Sequence, residues 1–413
     1  MRSALPRASR LVLVALLAAS TALALAQDVP KEPPTGEAGG APVAEAAAPA
    51  PTPDVPARKK KVSFRDPEDG AFDYSDYLLN HRGFLPVPFL ITEPAVGYGG
   101  GLALLFFQES IAESQRKSLE RGERMAPPNI GGVAAFLTSN GTWGGGVGYM
   151  GSSRGDRFRY QAELAKVELV LDYYGPRQIP RRFTTEAPYL TIDGLARLGQ
   201  SDLFVGARYY YFGATSRFEG DLPFEILPEE IESPLGRASV LIDYDSRDNT
   251  LTPSRGLFLE IDIGWSRPAL GSKRSFNSQL ARCFGYIPLG RSVILGLRGD
   301  GQFTNGEVPF YALPYLALRG IPAMRYQGRD TLLAEVEIRY NLTGRWALLI
   351  FGGGGKAYGG RVAFDEAHLV GGGGAGFRYL IARKLGLYAG IDLARGSGSD
   401  DTNIYFQVGS AWR

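Results

Sequence analysis

The sequence contains one cysteine and two histidines among its 413 residues. A single thiol, Cys283, excludes an internal disulfide bond, and cysteine-based zinc or iron-sulfur sites need two or more thiolates. With only His81 and His368 available, histidine-rich metal sites are disfavoured as well. We therefore expect neither a metal nor a cofactor.

The chain also lacks an excess of charge of either sign and a long apolar run. Because 45 Lys and Arg oppose 43 Asp and Glu, electrostatics gives no reason to expect a nucleic-acid partner. What is abundant is glycine, with 54 residues, together with 21 Tyr, 22 Phe and 4 Trp. Glycine at roughly twice its usual share of about 7% argues against a helical bundle and favours strands.

The first 26 residues have the pattern of a secretory signal peptide. Three arginines precede the apolar stretch 11–19, and an A-x-A motif ends at Ala26. We expect cleavage between Ala26 and Gln27. The alternative, a membrane-anchoring helix, is disfavoured because the apolar stretch is shorter than the about 20 residues that a span needs.

The next segment is rich in Ala and Pro, and it predicts disorder over residues 27–62 in the periplasm. A basic cluster at 58–61 is interpreted as the solvated end of this linker. A short connecting segment, 63–83, leads to the body of the chain, 84–413. Between the basic cluster and Phe84 there are too few residues for a globular periplasmic module, since domains rarely fall below about 50 residues.

The body of the chain breaks into segments of roughly ten residues separated by Gly, Pro, Asn, Asp and Ser, which is typical of all-β proteins. In the window 257–265, apolar residues alternate with Glu260 and Asp262; in 333–340, Glu335, Glu337 and Arg339 share one side. A soluble sandwich would alternate in the same way. Export, the absence of a candidate transmembrane helix and aromatic residues near strand ends favour a transmembrane antiparallel β-barrel instead.

About fifteen strand windows can be counted between residues 95 and 412. Bacterial single-chain barrels have even strand numbers, so we predict about sixteen strands, with fourteen as the alternative. The longest connection within the body, from about Thr304 to Asp330, is rich in apolar and aromatic residues. Such a loop is not expected to stay in solvent, and we predict that it folds into the lumen.

Two motifs in this region resemble those of the BamA/TamA family of outer-membrane barrels. One matches the family's D-[ST]-R-D-N-x(3)-P-x-x-G turn, and the other resembles its [VI]-R-G-[FY] loop tip, with the Arg-Gly pair identical and the flanking residues different. The turn motif comprises Asp245, Arg247, Asp248, Asn249, Pro253 and Gly256, and the loop tip comprises Leu318, Arg319, Gly320 and Ile321. The resemblance covers about residues 84–413 and implies a sixteen-stranded barrel with an inward loop.

The resemblance also implies a partner for Arg319. A guanidinium buried in a lumen needs a carboxylate, and the family's position on the next strand corresponds to Glu337. One strand later the family has F-x-D-x-G, where this chain has Phe351 and Gly355 but Gly353 in place of the Asp. This departure predicts that a second anionic contact is lost and that the loop is held less tightly.

The carboxyl-terminal segment, with Tyr405 and Trp412, is similar to the last-strand signal of outer-membrane barrels, although Arg413 follows the aromatic residue. The chain is thus expected to lie in the outer-membrane lipid bilayer and to need the outer-membrane assembly machinery for its own insertion. The sequence leaves the oligomeric state open.

The resemblance favours a non-enzymatic pore that inserts or translocates polypeptide or lipid and is gated by the inward loop. The alternative is a passive, porin-like diffusion channel for small solutes. A third hypothesis, a hydrolase using Ser153 of a G-x-S-x-G match, is disfavoured because the segment lies between two strand windows and is better explained as a hairpin turn.

Overall fold

The computed structural model describes residues 63–122, 128–175, 178–360, 362–398 and 401–412. The predicted signal peptide, its cleavage site at Ala26 and Gln27, and the Ala/Pro-rich segment 27–62 lie outside the described residues. No helix in the described ranges has the length and apolar character needed to cross a membrane.

Two short helices and seventeen strands make up the described chain. The helices are α1 (Ser75–Asn80) and α2 (Ile111–Glu120). The strands are β1 (Gly83–Ile91), β2 (Gly99–Phe107), β3 (Ile130–Thr138), β4 (Trp143–Ser153), β5 (Phe158–Tyr173), β6 (Arg181–Arg197), β7 (Leu203–Phe212), β8 (Thr215–Phe218), β9 (Leu235–Asp245), β10 (Gly256–Ser266), β11 (Phe276–Pro288), β12 (Val293–Gly306), β13 (Asp330–Asn341), β14 (Trp346–Tyr358), β15 (Val370–Ala382), β16 (Leu387–Gly396) and β17 (Asn403–Val408).

Apart from the short β8, each strand pairs antiparallel with the next along the chain, β7 pairing with β9, and this arrangement confirms the predicted barrel. Strands β7 and β8 both pair with β6 and are separated by Gly213 and Ala214, so they form one interrupted strand. The barrel therefore has sixteen strand positions, as predicted. The strand missing from the fifteen windows is β1, because Pro86 and Pro88 obscure its period-two pattern.

The alternation predicted from the sequence separates the two faces of the sheet. In β10, Leu257, Ile263 and Trp265 are exposed on the outside, whereas Glu260 and Asp262 are both 0% exposed. Strand β13 repeats this arrangement, with Glu335 buried and Val336 exposed. The apolar face thus points outwards and the charged face inwards, the arrangement of a barrel in lipid.

The end of the barrel at which β1 begins, called here the near end, is covered by the segment 63–82. Arg345, in the turn between β13 and β14, lies 2.6 Å from Asp66, 2.6 Å from Asp69 and 2.7 Å from Asp73. The adjacent Arg383 also pairs with Asp66 and Asp69. Carboxylates in the segment 63–82 therefore tie this segment to the β13–β14 and β15–β16 turns. These turns lie more than 270 residues later in the sequence.

The barrel is nearly closed rather than closed. Within the described residues no ladder joins β1 to β17, and a hydrogen bond from the Phe406 backbone N–H to Thr92 Oγ1, 3.1 Å long, links the two sides at the far end. At the near end, Leu78 and Leu79 of α1 pack both on the cluster around Leu85 and on the cluster that includes Val408. The gap between β1 and β17 is thus bridged at its two ends.

The structure changes the bounds of the long connection and supports the hairpin-turn interpretation of the G-x-S-x-G segment. Strand β12 continues to Gly306, so the long connection is 307–329 and not 304–330. The G-x-S-x-G segment 151–155 forms the end of β4 and the turn into β5, as a hairpin turn predicts, and no helix follows it.

Candidate functional site

The loop 307–329 crosses the inside of the barrel and is held at both ends. Its first half packs on the aromatic inner surface of β5 to β8: the ring of Phe310 lies 5.1 Å from that of Phe183, and the ring of Tyr311 lies 5.7 Å from that of Phe212. The backbone N–H of Phe310 donates to Glu230 Oε2 at 3.0 Å. This half of the loop is therefore part of an apolar core inside the barrel.

The second half of the loop is anchored by Arg319. Its Nε and Nη2 both donate to Glu335 Oε1, at 2.8 and 2.7 Å, and its Nη1 donates to Asp392 Oδ2 at 3.0 Å. The guanidinium carbon stands 3.4 Å from the centre of the Phe351 ring. An Arg presented to carboxylates from two strands and stacked on an aromatic face is fixed in both position and orientation.

The structure brings Arg319 and Glu337 together as the resemblance implies. Glu337 Oε2 lies 2.8 Å from Arg319 Nη2, but the orientation is not that of a hydrogen bond, so this contact is an ion pair only. The hydrogen bonds go to Glu335 and Asp392, which the sequence reasoning did not select. Glu335 could have been found, because it shares the inner face of β13 with Glu337; Asp392 could not, because it is 73 residues from Arg319.

The expectation that Gly353 costs the loop its second anionic contact is wrong. Asp392, on β16, supplies that contact from the other side of β15, and Arg378 holds its carboxylate with a contact of 2.5 Å. The physical reason is that barrel strands on either side of the loop tip can present a carboxylate to the same guanidinium. Three carboxylates therefore surround Arg319 rather than one.

Arg319 is one member of a network of buried ion pairs on the inner wall. The network alternates guanidinium and carboxylate groups, so that most of its charged groups have a neighbour of opposite sign. Its pairs are Arg208 with Asp193 and Asp262, Arg237 with Asp262, Arg282 with Glu260 and Asp300, Arg298 with Asp300 and Glu335, and Arg378 with Asp392. The inner wall from β6 to β16 is thus occupied by paired charges at the level of the loop tip.

Glycine makes room for the loop tip. A Cβ atom on Gly372 of β15 would lie 2.5 Å from the carbonyl oxygen of Arg319. Gly320 has a φ of +91°, and a Cβ atom there would lie 2.5 Å from the backbone carbon of Arg395. The backbone of the tip therefore rests directly on β15 and β16, a distance that only glycine permits on both sides.

The loop tip also touches both sides of the gap between β1 and β17. The backbone N–H of Gly320 donates to the hydroxyl of Tyr405 on β17 at 2.9 Å, and the backbone N–H of Ala323 donates to Glu93, just after β1, at 3.1 Å. Burial raises the pKa of Glu93 to about 7, although the N–H groups of Ala323 and Ala95 stabilise its carboxylate. The loop thus spans the gap from the inside.

The turn motif predicted from the sequence forms the β9–β10 turn at the near end. Arg247 makes a two-bond contact with Asp245, at 2.8 and 2.7 Å, and Asp248 Oδ1 accepts the backbone N–H groups of Ser254 and Arg255. These contacts are local and fix the shape of the turn.

Three further motif residues connect this turn to the rest of the near end. Asn249 Nδ2 donates to the Leu385 carbonyl at 2.9 Å, and the Pro253 carbonyl accepts from Arg339 at 3.0 Å. Gly256 has a φ of +107°, which the chain requires to enter β10. The motif is therefore structural within the described residues, since it braces neighbouring turns of the barrel.

The two aromatic residues of the carboxyl-terminal signal lie in different places. Tyr405 points to the loop tip, whereas Trp412 follows β17 and packs against Phe284 and Tyr286 of β11. Trp412 therefore packs against the near end of the barrel.

Comparison with known proteins identifies a matching family model and solved structures with the same architecture. Residues 229–316, from the approach to β9 through the start of the loop, match the Omp85 superfamily domain. BamA from Haemophilus ducreyi lacking POTRA domains 1–3 superposes with a TM-score of 0.52 at 12% identity, covering 80% of this chain and 70% of that one. The chain has the fold of these outer-membrane β-barrels.

Two CdiB structures show the same fold as this barrel. CdiB from Escherichia coli has a TM-score of 0.56 at 11% identity, over 78% of this chain and 61% of its own. CdiB from Acinetobacter baumannii has a TM-score of 0.52 at 13% identity, over 79% and 59%. The chain thus spans about three fifths of the length of the CdiB proteins that it matches. No curated protein sequence matches the chain.

The structural matches show the fold, and the Omp85 superfamily match covers residues 229–316. That the chain is not an enzyme and that it lies in the outer-membrane lipid bilayer stay predictions from the sequence.

Proposed function

We propose that this barrel inserts or translocates polypeptide or lipid at the outer membrane, and that the loop 307–329 is its gate. The observation that carries the proposal is the anchoring of Arg319 by Glu335, Glu337 and Asp392 on strands β13 and β16. A loop that crosses the barrel can open a path only if this contact is released.

The two halves of the loop have different physical roles in this mechanism. The half around Phe310 is packed by apolar contacts, which are non-directional and tolerate small displacements. The half around Arg319 is held by charge, and withdrawing the guanidinium leaves buried carboxylates without a counter-ion. The closed state is therefore the resting state, and cargo or a partner that replaces these contacts shifts the equilibrium towards opening.

The orientation follows from the same elements. The near end carries the entering segment 63–82 and, apart from the β2–β3 connection 108–129 with α2, turns of ten residues or fewer, whereas the long loop starts at the opposite end; short turns are periplasmic in outer-membrane barrels. We infer that the near end, with α1 and the Arg345 cluster, faces the periplasm. Cargo arriving there meets the segment 63–82 before it meets the loop.

The alternative of a passive diffusion channel fits the inner wall less well. Its charged residues are paired and buried: Arg282 is 1% exposed and Asp262 is 0% exposed. A porin interior presents charges to a water-filled lumen. With the loop in place, the charges at this level are not open to passing solutes, and steady conductance is not expected.

The experiment that tests the gate locks the loop by a disulfide bond. The Cγ1 atom of Ile321 lies 2.5 Å from the position of a Cβ atom on Gly396. The variant Ile321→Cys with Gly396→Cys, in a Cys283→Ser background, places the two thiols side by side. The new Cβ atom also lies 2.7 Å from the Gly320 carbonyl oxygen, so the reduced double variant measures any displacement of the tip before the bond forms. We expect cells with the oxidised variant to show the altered outer-membrane protein or lipid inventory of depleted cells, and a reductant to restore it.

The controls are each single cysteine variant under the same oxidation. A normal inventory with the oxidised, locked barrel would overturn the gate. An unchanged inventory in depleted cells, with slower uptake of small solutes, would instead support the channel.

A further inference from the structure

Arg339, on the inner face of β13, is a buried cation without a carboxylate partner. It is 8% exposed, and no Asp or Glu of the described residues forms an ion pair with it. The other buried arginines of the described ranges are all paired with carboxylates, and they are Arg208, Arg237, Arg247, Arg282, Arg345 and Arg378. A buried charge is costly unless it is paired, so this exception points to a counter-ion that the chain itself does not supply.

Neutral groups bond the guanidinium of Arg339 only in part. Its Nη2 donates to the Pro253 carbonyl at 3.0 Å and to Ser254 Oγ at 2.9 Å. Its Nε is buried and has no hydrogen-bond partner in the described residues, and the same holds for Oδ1 of Asn341, the next inward residue of β13. Two successive inward positions therefore carry polar atoms that a bound ligand can satisfy.

The carboxylates that act on Arg339 through their charge are engaged elsewhere. They are Glu337, two residues earlier on the same face, and Asp248 in the β9–β10 turn. Glu337 lies 2.8 Å from Nη2 of Arg319, and Asp248 accepts two backbone N–H groups within its own turn. Their charges still reach the site, so they repel an incoming group that carries more than one negative charge.

The border of the site is apolar and aromatic. Ile294 lies directly opposite Arg339 in the pairing of β12 with β13. The centre of the Tyr388 ring, on β16, lies 5.7 Å from the guanidinium carbon. Ile294 belongs to a buried cluster with Phe258, Phe284, Tyr286 and Trp412. The cation thus stands beside hydrocarbon surfaces, a setting that suits the charged head of an amphiphile.

A phosphodiester fits this setting better than other common anions. It carries one negative charge and two free oxygen atoms, which match the planar fork of a guanidinium. A phosphate monoester carries a charge of about −1.5 to −2 at pH 7, which a single cation near Glu337 and Asp248 does not balance. A polypeptide carboxylate brings backbone N–H and C=O groups that need partners, and the apolar border offers few.

We propose that Arg339 binds the phosphodiester of a phospholipid headgroup through its Nε–H edge, with the glycerol part against the aromatic border. The site lies on the near-end side of the loop tip, because Arg339 follows Glu335 and Glu337 along β13 towards the turn 342–345. A lipid that enters from the near end therefore meets Arg339 before it meets Arg319. This inference rests on the proposed function and narrows its cargo to lipid.

The test follows the Nε–H signal of Arg339 by nuclear magnetic resonance. The full chain carries isotope-labelled arginine and is held in a non-ionic detergent, and the signal that disappears in Arg339→Lys is the one to follow. The probe is dihexanoyl phosphatidylglycerol, a soluble diester, and the competing anions are inorganic phosphate and acetyl-glutamate amide. We expect a saturable shift with the probe and at least about tenfold weaker binding of each competing anion.

Two variants check that the binding depends on this charge. Arg339→Gln should weaken binding of the probe at least about tenfold, because the neutral amide offers no charge-assisted fork. Arg291→Gln, the matched control, removes a charge from an exposed turn at the same end and should bind as the wild type does. Arg339 also holds the β9–β10 turn, so the wild-type signal decides the question if Arg339→Gln does not fold.

Three results would overturn the proposal. The first is a probe that leaves the Arg339 signal unchanged or binds Arg339→Gln as tightly as the wild type. The second is inorganic phosphate that binds as well as the probe, since the site would then recognise an ion and not a lipid. The third is tighter binding of acetyl-glutamate amide, which would favour polypeptide.

The titration is repeated on the oxidised variant with Ile321→Cys and Gly396→Cys. We expect the same binding, because the site lies outside the locked contact and needs no movement of the loop. A gate that fails the loop-locking experiment leaves this binding intact. Failure of the lipid site is therefore distinguishable from failure of the proposed gate.

Discussion

The Nη1 atom of Arg319 lies 3.0 Å from Oδ2 of Asp392, and this contact joins the tip of the long loop to strand β16. It is the contact that places the loop tip beside the last strands of the barrel, next to the gap. Together with the bonds to Glu335 it accounts for how one side chain can hold a loop of more than twenty residues in a fixed position.

Replacing Arg319 by Ala should release the loop tip. The change leaves Glu335, Glu337 and Asp392 facing one another without the central cation, and removal of one partner from a buried ion pair costs about 3–5 kcal/mol. We expect greater open-channel noise in planar bilayers and faster proteolysis within residues 307–329. Arg329→Ala, on an exposed residue of the same loop, is the control; if both variants behave like wild type, Arg319 is not the anchor.

Placing a side chain on Gly372 should displace the tip without touching its charges. A Cβ atom there would lie 2.5 Å from the Arg319 carbonyl, so the loop backbone must move in Gly372→Ala. The expected result is the noise and protease sensitivity of Arg319→Ala, with the barrel still resistant to unfolding in detergent. Gly299→Ala serves as the control because nothing lies within 4 Å of its Cβ position. Wild-type noise in Gly372→Ala would show that the tip tolerates the displacement.

The contact between the loop tip and Glu93 should depend on pH. The folded-state pKa of about 7 exceeds the ordinary value of 4.5, so the native state binds more protons between these values. The closed arrangement that buries Glu93 is then most stable below pH 4.5, loses stability as the pH rises to about 7, and has constant stability above that, because the cost of burying the ionised carboxylate outweighs the N–H bonds that favour it. Amide exchange at Ala323 should therefore be slower at about pH 5 than at about pH 8 after correction for the intrinsic rate.

The control for this pH dependence is Glu93→Gln, which keeps an acceptor but does not titrate. Exchange at Ala323 in that variant should show no pH effect beyond the intrinsic one. A pH dependence equal to that of the wild type would mean that another group is responsible.

Arg345→Ala should detach the segment 63–82 from the near end. The Arg345 guanidinium holds the pKa of Asp69 well below its usual range, and hydrogen bonds from Ser75, Arg383 and Arg345 lower that of Asp73 against the effect of burial. We expect early proteolytic cleavage before β1, and the same cleavage in the wild type only when the pH falls below the usual range of carboxyl groups, because lowered carboxyl pKa values give stability that is lost on acidification. Arg291→Ala, in an exposed turn at the same end, should leave the segment protected.

The class of fold, the sidedness of the strands and the long loop could be predicted from the sequence, because alternation of apolar and charged residues is a local property with a period of two. Arg319 and Glu337 could be paired from the sequence for two reasons. They are close in sequence, and the resemblance of this region to a known family indicates which position on the next strand faces Arg319. Strand β1 was missed for the same local reason, since Pro86 and Pro88 disturb the pattern that identifies a strand.

Only the tertiary structure decided which carboxylates hold Arg319, where the barrel stays open and how the entering segment is fixed. Asp392 and Arg345 act on residues 73 and more than 270 positions away, and no spacing in the sequence encodes that they meet. Their pairing follows from closure of the sheet, which brings the last strands back beside the first. The sequence specifies whether each side chain points inwards or outwards. The curvature of the closed barrel determines which inward-pointing side chains come into contact.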